Sequence, residues 1–109
     1  LKNSTAKAPK HLSPEARRWW RKLQEEYAFS DEGGLLLLQT ALEAFDRMRA
    51  AQAAIGQDGA TALDRFGQLK AHPLLSVERD ARAALLAALK ALNLDLEPLR
   101  DGPGRPPGR

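Results

Sequence analysis

The sequence predicts an all-α fold of three main helices, over about residues 14–29, 31–55 and 73–92, with a short irregular or hairpin connection at 57–71. Three observations carry this. Apolar residues recur in steps of three and four through three separate stretches. Each stretch opens on a capping residue or a proline, at Ser13-Pro14, Ser30-Asp31 and Pro73. Gly56, Asp58-Gly59 and Gly67 punctuate the span between the second and third.

The 109 residues suit one domain, expected over 13–96, between a flexible basic arm at 1–12 and a flexible tail at 97–109. A monomer of this size buries only roughly 60–70% of its unfolded surface, which favours help from oligomerisation. There is no cysteine, so disulfides, thiol catalysis and most zinc sites are excluded, and two histidines far apart do not make a metal site alone. Neither a metal nor a cofactor is expected. No apolar run reaches the roughly 18 residues of a membrane span, so the expectation is a soluble, intracellular chain with no membrane partner.

The arm carries Lys2, Lys7 and Lys10, is broken by Pro9 and has no periodicity. Ser13-Pro14-Glu15 is a helix start: serine caps the free amides, and proline sits where its missing N–H costs nothing. On the wheel of this first helix Ala16, Trp20, Leu23 and Tyr27 share a stripe, flanked by Trp19 and Leu12. Arg17, Arg18, Arg21 and Lys22 take the opposite side. Cations in the first half and Glu25-Glu26 near the end oppose the helix dipole, an order that stability would not select.

Ser30 caps the second helix, with Asp31 and Glu32 in its first turn, and Gly56 to Gly59 should stop it near Ile55. Leu37, Ala41, Ala44, Met48, Ala51 and Ile55 form one seam, and Leu35, Leu38, Leu42 and Phe45 a second beside it. One neighbouring helix covers a stripe of roughly 100°. This helix therefore needs two neighbours, one expected from its own chain and one from a second subunit, with Gln39, Glu43 and Asp46 left exposed.

Thr61-Ala62-Leu63 before Arg65-Phe66-Gly67 allows a small extended excursion or tight hairpin. The third helix starts at Pro73 and ends near Leu92, with Asn93 as a left-handed terminator. Leu74, Val77, Ala81, Leu85, Ala88 and Leu92 form its stripe. Glu78 and Arg82, one turn apart, make either a boundary ion pair or a pair buried at a subunit contact. The Pro-, Gly- and Arg-rich tail is either a solvated spacer or a short recognition element.

No catalytic constellation emerges, so the chain is not expected to be an enzyme. His72 stands before Pro73 where a helix cap would be, and the glycine clusters lack the lysine and hydroxyl of a phosphate-binding loop. The basic signal is stronger. Residues 1–22 hold seven cations against Glu15 alone, a net +6 against +3 for the whole chain. Lys7, Lys10, Arg17, Arg18, Arg21 and Lys22 are therefore candidate phosphate contacts, the other reading being the solvated side of a helix. A helix-turn-helix reading fails, because the second helix is apolar around most of its surface and leaves no recognition face.

Pro9-Lys10-His11-Leu12-Ser13-Pro14-Glu15-Ala16 with Trp20, then Gly67-Gln68-Leu69-Lys70-Ala71-His72-Pro73 and Glu78-Arg79-Asp80-Ala81-Arg82, resemble the small terminase subunits of tailed phages. The resemblance spans roughly Pro9 to Pro98. Asn93 stands where a glycine is more usual. It implies a ring-like homo-oligomer that binds viral double-stranded DNA in the cytoplasm of an infected bacterium. Such a subunit recruits and regulates the large terminase subunit, which holds the ATPase and nuclease. The expected oligomer contacts are Leu37, Ala41, Phe45, Met48, Glu78 and Arg82. A reading from another class is a small helical scaffold or antitoxin-like protein whose basic face meets an acidic protein.

Overall fold

The computed structural model describes residues 5–94, and the side chain of Ala62 is left aside. It is mostly helical: α1 (Pro14–Tyr27), α2 (Glu32–Asp58), β1 (Thr61–Leu63), β2 (Leu69–Ala71) and α3 (Leu74–Ala91) follow in order. The expected tail at 97–109, Lys2 and the end of the expected domain lie outside the described residues.

Ser13 caps α1, its hydroxyl accepting from the Ala16 N–H, with Pro14 in the first helical position. The helix stops two residues earlier than expected. Ala28 turns into the left-handed region at φ 51° and gives its N–H to the Gln24 carbonyl. An L-residue there costs about 1–2 kcal/mol, and sequence alone gave no reason to look for it. Asp31, rather than Ser30, caps α2 by accepting from the Gly34 N–H. At the other end Gly56 is an ordinary helical residue, and α2 continues to Asp58 before Gly59, at φ 90°, ends it. A single helical glycine costs only about 1 kcal/mol, which the surrounding turns absorb.

The connection is a hairpin, one of the two forms expected. β1 and β2 pair antiparallel with Thr61 opposite Ala71 and Leu63 opposite Leu69. Asp64 builds its turn by accepting from the backbone N–H groups of Phe66 and Gln68 through one carboxylate oxygen. Gly67 supplies the positive φ of 79° that the turn needs. His72 then starts α3. Its Nδ1 accepts from the Leu74 N–H at 3.0 Å, so its Nε2 carries the proton and donates to the Asp58 carboxylate at 3.0 Å. The ring is buried. It thus ties the end of α2 to the start of α3, an architectural role with both ring nitrogens in use. Asn93, at φ 56°, follows α3.

α2 is the centre of the core. Leu38, Leu42, Phe45 and Met48 pack with Leu12, Ala16 and Trp20 from the first part of the chain and with Ala81 of α3. α3 makes the larger contact with α2 and α1 the smaller. The buried residues of α3 are alanines, Ala81 and Ala88, and α2 adds Ala41, Ala44 and Ala51. Small side chains let helix axes come close.

Two expectations change here. The arm does not stand away from the helices over 5–12: Ala6, Ala8 and Leu12 pack on the core, and the Trp20 indole N–H donates to the Ala6 carbonyl at 3.0 Å. The face of α2 expected to be exposed is the one that receives it. His11 bonds Glu43 at 2.7 Å, Gln39 donates to the same carboxylate, and Asp46 accepts from both the backbone N–H and the hydroxyl of Ser13. Wheel geometry ranked these positions as polar and so solvated. They are polar because they hold the start of α1.

Candidate functional site

The six candidate phosphate contacts divide once the arm is in place. Arg17 is committed to structure, its guanidinium donating to the carbonyls of Lys10 and Leu12 at 3.2 and 2.6 Å. Part of the conflict between α1 and its dipole is resolved this way, because one early cation serves to fasten the arm. Arg18, Arg21, Lys7 and Lys10 are exposed, and their side chains make no ion pair or hydrogen bond among the described residues. Lys22 is exposed too, with its ammonium 5.6 Å from the centre of the Trp19 ring, a partly exposed aromatic beside it. Glu15, the lone acid of residues 1–22, is paired with Arg49 of α2. This leaves the outer side of α1 and the arm cationic, with its one early acid neutralised.

Electrostatics under the arm fit the same picture. Hydrogen bonds from Gln39 and then His11 hold the Glu43 carboxyl below its ordinary range. Glu43 and Asp46, the carboxylates of α2 under the arm, thus each have a partner.

The expected oligomer contacts separate as well. Ala41, Phe45 and Met48 are buried inside the single chain, which corrects their assignment to a surface for a second subunit. The physical reason is that α1 with the arm, and α3, together cover both apolar seams of α2. Leu37 is half-buried. Glu78 is mostly covered and accepts from Gln52 of α2 as well as from Arg82, whose side chain is 54% exposed. That pair is a boundary ion pair clamped to α2.

The large apolar residues left in water lie elsewhere. Leu63, Phe66 and Leu69 of the hairpin are 68%, 74% and 72% exposed, followed by Leu36 of α2 and Leu86 of α3 at 64% and 58%. Sequence reasoning missed those of the hairpin because a three-residue strand gives too short a period to assign a face. Gln24 was missed too. It lies one helical turn after Trp20, on the apolar stripe, and a polar residue in that place was the signal that could have found it. Lys7, Arg21, Trp20 and Gln24 all line one groove between the arm and α1.

Among the described residues no group of three or more His, Asp or Glu side chains is placed to hold a metal ion. No described helix is long and apolar enough to cross a membrane. No family model matches the chain, and no curated protein or solved structure shows significant similarity to it.

Proposed function

We propose that this chain is a small terminase subunit of a tailed phage or prophage, a non-catalytic adaptor working in the bacterial cytoplasm. It forms a ring-like homo-oligomer, binds viral double-stranded DNA and recruits the large terminase subunit. The observation that carries the reading is the motif series itself. Its two best-marked pieces, His11-Leu12-Ser13 and His72-Pro73, fall at the two junctions where loops are fastened to α2. Residues with such architectural duties give a motif that depends on fold, as a family resemblance requires. The uncommitted cations Lys7, Lys10, Arg18, Arg21 and Lys22 support the DNA part, since sequence-independent binding needs free positive charge on one face. The exposed hairpin supports the oligomer part, because an isolated two-stranded ribbon is marginal in water and gains from a neighbour.

DNA binding measured across salt tests the central claim. Affinity for a duplex should fall steeply as salt rises, with a log–log slope near −0.9 per phosphate contacted. Replacing Arg18, Arg21 and Lys22 together with alanine should reduce that slope by about 2 to 3, while Arg17, which fastens the arm, is spared. Binding of an acidic protein with no measurable duplex affinity would favour the scaffold or antitoxin-like reading instead. Native mass spectrometry addresses the ring. A closed multimer is expected, and a monomer at micromolar concentration rules the adaptor out.

A further inference from the structure

Gln24 holds an arrangement that the basic face does not explain. It is 3% exposed, yet among the described residues neither its carboxamide oxygen nor its nitrogen has a hydrogen-bond partner. Leaving both kinds of group unpaired in an interior is costly, and folded proteins do it rarely. The same side chain lines a groove of about 510 Å³ between the arm and α1, a size that suits a small ligand. Trp20 and Ala6 give the groove apolar walls, and Lys7, Arg21 and Glu25 also line it. Lys7 and Arg21 have no ion pair of their own among the described residues.

We infer that this groove binds a nucleotide unit carrying an unpaired base. Its base edge meets the Gln24 carboxamide, and its phosphate lies between Lys7 and Arg21. A carboxamide presents an acceptor and a donor side by side in one plane, and an unpaired base matches it, adenine with N6 and N7 or cytosine with N4 and N3. An anion attached to a planar donor–acceptor edge is what the cations and the carboxamide ask for together. An acidic peptide would satisfy the cations but would leave the indole wall without a flat partner. The carboxamide lies under the arm, so seating a base requires residues 5–8 to shift. The indole hydrogen bond from Trp20 to Ala6 is the latch that would open. The inference rests on the DNA reading and deepens it: a base still paired in duplex cannot reach a side chain this deep, so the nucleotide belongs to a frayed, flipped or single-stranded position.

The test is a titration of the full ¹⁵N-labelled chain, following the Trp20 indole N–H resonance with Trp19 as internal control. The probes are dAMP, dCMP, inorganic phosphate, a short oligodeoxyadenylate, a duplex and tetraglutamate. The nucleotides dAMP and dCMP and the oligonucleotide should shift the Trp20 signal to saturation, and inorganic phosphate should bind about tenfold more weakly, for want of one bidentate pair. Gln24→Leu should weaken nucleotide binding by about tenfold and leave low-salt duplex binding unchanged, and Gln24→Met should behave alike. Phosphate acting as well as dAMP, tetraglutamate binding more tightly, or a Gln24→Leu chain that binds dAMP as tightly as the unaltered one would overturn the site. Nucleotide binding without duplex affinity would keep the site and remove the DNA reading. Duplex affinity with an unmoved Trp20 signal would do the reverse.

Discussion

Ser13 serves two neighbours with one hydroxyl. The Oγ accepts from the Ala16 N–H at 3.0 Å and donates to Asp46 at 2.5 Å, while the Ser13 backbone N–H gives a further bond to the other oxygen of the same carboxylate. The cap alone contributes about 1 kcal/mol, and an unpaired part-buried partner adds about 1–3 kcal/mol when either residue is truncated. Ser13→Ala and Asp46→Ala should each lower the denaturation midpoint with little change in slope. The double variant should cost less than the sum of the two, because they share one network. The serine cap was legible in sequence from Ser-Pro-Glu, but its second bond spans 33 residues and no local pattern reports it. Glu43 offers a pH prediction of the same size class. Its carboxyl is held low in the folded chain by Gln39 and His11. The stability this gives is present above the unfolded-state value and is lost as pH falls through the folded one. Glu43→Gln should therefore lower stability at neutral pH and leave the acid end of the stability–pH profile little changed, which flattens the acid limb. The effect should be modest, since the side chain is 35% exposed and solvent screens it.

Among the elements, α2 shows most clearly what sequence can and cannot place. Its apolar seams and acidic start were readable from period and caps, and its end was not. Gly56 resembles a stop, yet it has open space around it and a helical backbone, whereas Gly59 carries the positive φ that terminates the helix. Only the conformation separates the two. Gly56→Ala should stabilise the chain by about 1 kcal/mol, the propensity difference, in thermal or chemical unfolding. Gly34→Ala should gain less or lose, because the added methyl would lie 2.9 Å from Asp31 Oδ1, the second oxygen of the carboxylate that caps the helix through Oδ2. The two-neighbour requirement of α2 was a sound deduction, since both seams are covered. Both neighbours come from the same chain, α1 with the arm on one side and α3 on the other, where one from a second subunit was expected.

At the scale of the whole molecule, α2 runs 27 residues, roughly 40 Å at 1.5 Å per residue. The hairpin follows its C-terminal end, whereas His11 and Ser13 attach near its middle, at Glu43 and Asp46, and α1 leads back to its N-terminal end. Phe66→Ser with Leu69→Ser should weaken self-association, seen as a lower mass in sedimentation, with little change in the unfolding midpoint of the isolated chain. These side chains are about three-quarters exposed within it. The three helices and the caps at Ser13 and His72 were legible in the sequence, the cap of α2 was placed one residue early, and the basic character of the first 22 residues was legible too. The folding back of the arm was not, because it depends on side chains that meet only after α1 and α2 are placed. The length of α2 has a genetic consequence. With the cationic surface and the exposed ribbon separated along it, lesions in one should not disturb the other. When two defective versions are co-expressed, a chain lacking the cations should enter shared assemblies and poison them. A chain with an altered ribbon should be excluded and remain recessive.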